Sequence, residues 1–304
     1  MTEAAPARAT TVTYWLAAVF TFGAVVLGSA VCATESGMAC PTWPGCFPGQ
    51  VTPDGLNSAI EFTHRVVAFG SLVTLAVASW HGRRLAEPRL RWFPVAALVA
   101  AVASGGFGMT IVLFGLPMLL GLLDVAAALV ALCLITWAAV RLPDPRPSGR
   151  LGRLAWAAVG SMVAMYLLGI VVAAPGSFVR CLGWPVWRIV ESDQYPVLQG
   201  VRLLLGVVTA GLLAWVVVQA IRRTDLRAHG IALAVLWLVE LAMGQLIAGQ
   251  FTGEQARQIG LAGAYSMLAG TILWVLALLA ARAAAGAPEP EPDDLPSELS
   301  RTGR

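Results

Sequence analysis

The chain has 304 residues, of which 58% are hydrophobic and 12% are charged, and its formal net charge is +3. Soluble domains carry about 25% charged and about 45–50% apolar residues. No soluble core could bury this surplus of apolar side chains. The composition therefore excludes a soluble enzyme and indicates a polytopic membrane protein.

Eight apolar stretches are long enough to cross a membrane, because a hydrocarbon core of about 30 Å needs roughly 20 helical residues. The sequence predicts membrane-spanning helices at roughly 12–33, 58–80, 92–113, 117–140, 153–174, 196–220, 229–250 and 258–282. The arginines of the short loops cluster around Arg84, Arg150 and Arg223. By the positive-inside rule these loops and both termini are cytoplasmic, in a multi-pass protein of the plasma membrane.

An internal repeat is visible in two of the predicted outer loops. The first loop reads Cys40-Pro-Thr-Trp-Pro-Gly-Cys46 and the third reads Cys181-Leu-Gly-Trp-Pro-Val-Trp187. Each loop follows an odd-numbered helix and precedes one with an Arg near its outer end. We predict an all-α fold of two pseudo-symmetric four-helix bundles, followed by a disordered acidic tail. The three segments are residues 1–145, 146–282 and 283–304.

Charged side chains at membrane depth are costly and mark functional sites or structural pairs. Five lie within the predicted spans away from their cytoplasmic ends: Glu61, Arg65, Asp124, Arg202 and Glu240. Glu61, His64 and Arg65 share one face of the second helix because they are three and four residues apart. Two interpretations stay open. One is a cofactor pocket with His64 as metal ligand and Glu61 as acid or proton relay. The other is a structural network in which His64 only forms hydrogen bonds.

The loop motif Ser36-Gly-Met-Ala-Cys40-Pro-Thr-Trp-Pro-Gly-Cys46, followed by Glu61-Phe-Thr-His64-Arg65, resembles the heme A synthase family. The resemblance implies an oxidoreductase that converts a methyl group of heme O to the formyl group of heme A for cytochrome oxidase. It also implies a substrate heme in the amino-terminal half and a heme B in the other half. Each heme would lie between two His residues on even-numbered helices.

On this resemblance, His64 is the expected ligand of the heme iron and Glu61 is the catalytic carboxylate. We expect Arg65, Asp124 and Arg202 to contribute to heme binding. The first-loop cysteines match those of the family. A bridge between Cys40 and Cys46 is predicted, since their loop faces the oxidising side and its prolines restrict the chain. A reduced or redox-active pair is the alternative. Cys32 and Cys181 also lie near the outer face, but the spacing does not favour their pairing strongly.

Three of the four His ligands that the resemblance implies are absent. Val201 precedes Arg202 in the sixth helix, the fourth helix offers Asp124 or Leu122, and the eighth offers residues 265–267. The second half is therefore not expected to hold a bis-His heme. The first half would bind one through His64, with water, Asp124 or Met118 opposite.

Three functions compete on these grounds. The first is a heme A synthase-like enzyme, and the second is a non-catalytic heme-binding or oxidase-assembly protein of the same fold. The third, a transporter, is least favoured because the helices carry no matched Pro or Gly breaks. The expected partners are membrane lipid, heme O, and heme O synthase or cytochrome oxidase assembly factors. No nucleic-acid partner is expected.

Overall fold

Eight long helices form the protein in a computed structural model that describes residues 8–49, 53–115, 117–145, 148–172, 181–185, 195–249 and 255–283, without the side chains of residues 248, 249 and 255–259. The helices are α1 (Arg8–Ala33), α2 (Leu56–Gly82), α3 (Pro88–Phe114), α4 (Met118–Arg141), α5 (Arg150–Val172), α6 (Pro196–Arg222), α7 (Arg227–Gly249) and α8 (Gln255–Arg282). A 3-10 helix, Ser36–Met38, lies between α1 and α2. Each long helix is apolar enough to cross a membrane. The eight-helix prediction is confirmed, and the side on which the termini lie stays a prediction.

Local sequence explains several helix ends. Pro88 and Pro196 occupy the first positions of α3 and α6, where the missing N–H costs nothing. Gly115 ends α3 with a φ of 98°, a conformation that disfavours side chains. Several helices also begin before the predicted spans, as α1 does at Arg8, because polar residues can continue a helix beyond the hydrocarbon. The predicted tail lies outside the described residues from 284 onward, as do the ends predicted for the fifth and seventh spans.

The helices pack as two four-membered rings. In the first ring α1 contacts α2, α2 contacts α3, α3 contacts α4, and α4 returns to α1; α5 to α8 repeat this order. Between the rings, α1 meets α8, α4 meets α5, and α4 meets α8. A twofold axis along the bundle that relates α1 to α5 and α4 to α8 would exchange the α1–α8 contact with the α4–α5 contact. The same axis would leave the α4–α8 contact unchanged. The packing therefore has the pseudo-symmetry expected of parallel repeats, while the boundary after residue 145 stays a prediction.

A pair of hydroxyl groups joins corresponding helices in each ring. Thr21 of α1 and Ser71 of α2 lie 2.8 Å apart, and Ser161 of α5 and Thr209 of α6 lie 2.6 Å apart. Such contacts satisfy polar side chains between membrane helices without water. The two rings thus share polar contacts as well as helix order.

The rings differ in where they are filled. We call the end at which α1, α3, α5 and α7 finish the cysteine end, and the opposite end the arginine end. In the first ring, the fully described helix α4 has no buried residue before Leu129. The apolar core of this ring lies towards the arginine end, around Tyr14, Leu75 and Ile135. In the second ring, buried side chains continue to the cysteine end. They include Met165, Tyr166, Leu182, Trp184 and Tyr265.

Candidate functional site

Loop 1, the segment between α1 and α2, is closed by a disulfide at the cysteine end. Cys40 and Cys46 are bonded, with their Cα atoms 4.3 Å apart. Both side chains are buried. The predicted bridge is confirmed.

Glu61 and Arg65 of α2 hold loop 1 against the helix. The buried carboxylate of Glu61 accepts the N–H of Cys40 at 2.7 Å and forms an ion pair with Arg65. The Arg65 guanidinium donates to the carbonyl oxygens of Cys40 (3.2 Å), Thr42 (2.6 Å) and Gly45 (2.9 Å). Charge-assisted hydrogen bonds of this kind are stronger than neutral ones. Two of the predicted site residues therefore bind loop 1 directly.

His64 lies between these two residues on α2 and faces α1. Its ring is packed against Gly28, where an added Cβ atom would lie only 3.1 Å from Nε2. The side chain is half-buried, and among the residues that the structure describes none forms a hydrogen bond with the ring. The imidazole thus lies towards the cysteine end of the first ring, and its nitrogen atoms form no hydrogen bond with a described residue.

Asp124 of α4 is bound by α3 rather than by α2. Ser104 of α3 donates a hydrogen bond to Oδ1 of Asp124. An added Cβ at Gly108, one turn further along α3, would lie 3.9 Å from Oδ2. Because α2 and α4 occupy opposite corners of the ring, Asp124 is held away from the Glu61–Arg65 pair.

Arg202 lies in the second ring, at the place that corresponds to that of His64. It is almost fully buried, its guanidinium contacts Gly169 of α5, and it donates to the carbonyl oxygen of Gly183 at 3.3 Å. Gly169 precedes Cys181 by the same number of residues by which Gly28 precedes Cys40. The Arg202 guanidinium thus contacts the α5 glycine that corresponds to Gly28, the residue contacted by His64 in the first ring. Val201, which stands where the motif would have a His, is instead 44% exposed.

A second disulfide connects the two rings. Cys181 is bonded to Cys32 of α1, with Cα atoms 5.8 Å apart across a sequence separation of 149 residues. The sequence left this pairing open. Trp187 stands where the repeat would place a local partner for Cys181, and it lies outside the described residues.

Loop 3, the described residues 181–185, is held by side chains of α7 and α8 whose role was not predicted from the sequence. The N–H of Trp184 donates to Glu240 of α7 at 3.3 Å, and Tyr265 of α8 donates to the Trp184 carbonyl at 2.9 Å. Ser266 donates to the carbonyl of Leu182 at 2.6 Å. The charge at Glu240 was a visible signal, but its partner is a loop N–H that no spacing rule identifies.

The described residues include no group of three or more His, Cys, Asp or Glu side chains that could hold a bare metal ion. A heme differs, since its macrocycle supplies four nitrogen ligands and the protein needs to add only an axial one. His64 can provide that ligand in the first ring. In the second ring the corresponding place holds an Arg side chain, which has no lone pair to donate.

Comparisons with known proteins yielded two curated relatives and no matching family model. The chain is 31% identical over 250 residues to the heme A synthase of Symbiobacterium thermophilum, which covers 73% of this chain and 80% of that protein. It is also 29% identical over 66 residues to the heme A synthase of Geobacillus thermodenitrificans, covering 22% of this chain and 21% of that protein.

Proposed function

The chain belongs to the heme A synthase family, and on that premise we propose that it oxidises a methyl group of heme O to the formyl group of heme A. The observation that carries the proposal is the His64 imidazole, which is half-buried beside Gly28 and has no hydrogen-bond partner among the described residues. A neutral imidazole can bind iron without the cost of burying a charge.

The first ring suits a heme bound on one side. His64 would hold the iron of the substrate heme, and the sparse burial along α4 before Leu129 leaves that end of the ring loosely packed. Asp124 is held by Ser104 at the opposite corner, so we propose that it contributes a polar group or a bound water to the far side of the heme. A heme held there would have His64 as its expected protein ligand and would be open to oxygen or exogenous ligands.

Glu61 and Arg65 would act at the edge of this site. Glu61 lies one turn nearer to the cysteine end than His64, and conversion of a methyl to a formyl group by an oxidant such as dioxygen requires proton exchange with water. We assign Glu61 to that proton transfer. Its two oxygens are engaged by the Cys40 N–H and by Arg65. Arg65 would offset the carboxylate charge and lie within reach of a heme propionate.

The experiment begins with pigment extracted from the purified protein. We expect heme O or heme A, and we expect His64→Ala to lose the pigment while the protein stays folded in the membrane. His81→Ala is the matched control, because His81 lies in the last turn of the same helix. Full heme retention by His64→Ala, or a pigment-free natural protein, would contradict the site.

A non-catalytic heme carrier of the same fold is the second candidate. It is favoured because His64 is the only one of the four expected His ligands that is present, and because Arg202 lies at the corresponding place in the second ring. Glu61→Gln distinguishes the two. In the enzyme this variant should retain heme O and yield no heme A. In a carrier, heme B should be the only pigment of the natural protein. Supply of heme O by heme O synthase, and delivery to cytochrome oxidase assembly factors at the plasma membrane, belong to the same proposal.

A further inference from the structure

Loop 3 lies inside the second ring rather than above it. Leu182 and Trp184 are 4% and 8% exposed, whereas Trp43, which occupies the place of Trp184 in loop 1, is 47% exposed. The two loops share the Cys-x-x-Trp-Pro pattern. Equivalent tryptophans are therefore buried in one ring and exposed in the other.

Three helices of the second ring grip loop 3 through specific contacts. Arg202 of α6 binds the Gly183 carbonyl, Glu240 of α7 binds the Trp184 N–H, and Tyr265 and Ser266 of α8 bind the carbonyls on either side. Tyr166 of α5 is fully buried and donates to the carbonyl oxygen of Ala269 of α8 at 3.2 Å rather than to the loop. Helices α6, α7 and α8 thus each contribute a polar side chain that binds the loop backbone.

Apolar contacts fill the space between these polar groups. The Trp184 ring lies 5.7 Å from that of Trp237. Pro185 lies so close to α6 that a Cβ added at Gly206 would be 2.8 Å from the proline ring. A Cβ added at Gly183 would likewise be 2.8 Å from the ring of Tyr265. The loop is thus packed as tightly as a protein interior, in which gaps large enough for another group are rare.

A covalent bond fixes the loop from the first ring. The Cys32–Cys181 disulfide joins the start of loop 3 to α1. Loop 1 differs, because its disulfide is internal and the backbone of its residues 40–45 is bound by Glu61 and Arg65 of α2. Loop 3 is therefore anchored to α1, α6, α7 and α8 at once.

We propose that loop 3 is a built-in plug: residues 181–185 occupy the interior of the second ring that a prosthetic group would need, so that this half binds no heme and the chain carries one at most. Arg202 stands where an axial ligand would be required, and a guanidinium cannot ligate iron. Glu240, Tyr265 and Ser266 bind the loop backbone. The proposal concerns the second ring alone and holds whichever reaction the first ring performs.

Hydroxyl-radical footprinting of the unmodified, full-length protein in detergent tests the plug directly. Oxidation at Trp43 and Trp184 is followed by mass spectrometry, and the two residues have the same chemistry and the same place in the repeat. We expect Trp184 to be oxidised severalfold more slowly than Trp43 in the native protein and at a similar rate after denaturation. Equal rates in the native protein would overturn the proposal.

Two variants identify what holds the plug. Tyr265→Phe combined with Ser266→Ala removes two hydroxyl donors to loop carbonyls and should raise oxidation of Trp184 towards that of Trp43. Thr110→Val is the control, because Thr110 bonds only to the carbonyl of its own helix. An unchanged Trp184 rate in a folded double variant would contradict the assigned contacts.

Titration of the natural protein with hemin tests the consequence. We expect saturation at no more than one heme per chain, and loss of that binding in His64→Ala. A second equivalent would overturn the plug, whereas a single equivalent that survives His64→Ala would contradict the His64 site of the proposed function. Complete failure to bind hemin would contradict the proposed function while leaving the closed second ring intact, so the two failures are distinguishable.

Discussion

Arg65 connects helix α2 to loop 1 through a single guanidinium. It binds the Glu61 carboxylate and the carbonyl oxygens of Cys40, Thr42, Pro44 and Gly45. Loop 1 thus depends on one guanidinium, whose fixed fork of donors suits several acceptors at once. The pair is also well shielded, with the Glu61 side chain 4% and the Arg65 side chain 14% exposed.

Arg65→Met should therefore destabilise the protein by about 3–5 kcal/mol, because it leaves the buried Glu61 charge without its partner. Adding Glu61→Gln should recover part of the loss, since the neutral amide removes the unpaired charge and can still accept the Cys40 N–H. The free energy of unfolding in detergent, measured for both single variants and the double variant, checks this. Strictly additive losses would show that the two residues do not depend on each other.

Among the elements, the helices were predictable and the loops were not. Hydropathy alone located all eight helices, because the hydrocarbon thickness sets a minimum length of apolar helix. The shared face of Glu61, His64 and Arg65 also followed from helical spacing. Their division of labour did not, since loop 1 contacts α2 through a Cys40 N–H and carbonyls that every residue possesses.

Long-range pairings were the part that the sequence left open. Cys32 and Cys181 are 149 residues apart. The four cysteines at the cysteine end could form disulfides in more than one combination, and the sequence does not distinguish between these combinations. Likewise, Glu240 was recognisable as a buried charge, but its donor is the backbone N–H of Trp184. Backbone partners carry no signature in the sequence, so only the packed structure identifies them.

The Cys32–Cys181 disulfide should keep the two rings linked after the chain is cut. A protease site inserted between α4 and α5 divides the chain into its halves, and the fragments should migrate together in denaturing gels until a reductant is added. Cys181→Ser is the control and should separate without reductant. Loss of this bond should also cost up to about 5 kcal/mol, more than loss of Cys40–Cys46, because it closes a far longer loop. Fragments of the natural sequence that separate without reductant would contradict the bond.

At the scale of the whole molecule, the two rings share one helix order but differ in what fills their interiors. In the first, α4 has no buried side chain before Leu129, and the His64 imidazole has no hydrogen-bond partner among the described residues. The second is filled by its own loop and an Arg residue. Because α1 packs against α2 on one side and α8 on the other, the filled ring supports the helix whose Gly28 faces His64. Pseudo-symmetry therefore conserves the framework while the two interiors diverge.

The orientation of this framework follows from its arginines. The arginine end carries Arg83, Arg84, Arg222 and Arg223 at the ends of α2 and α6, and the loops at the cysteine end carry few arginines. The positive-inside rule predicts that the arginine end lies in the cytoplasm, and the two disulfides at the other end agree with that prediction, since disulfides persist in oxidising compartments. A Cys introduced at Arg84, Arg150 or Arg223 should therefore resist a membrane-impermeant thiol reagent in intact cells and react after the cells are opened.

Met38→Cys in loop 1 is the positive control, because Met38 is 54% exposed at the cysteine end. Cys133, the one natural cysteine outside the disulfides, lies within α4 and sets the background. Labelling at Arg84, Arg150 and Arg223 in intact cells, with Met38→Cys protected, would reverse the orientation and place the candidate site on the cytoplasmic side.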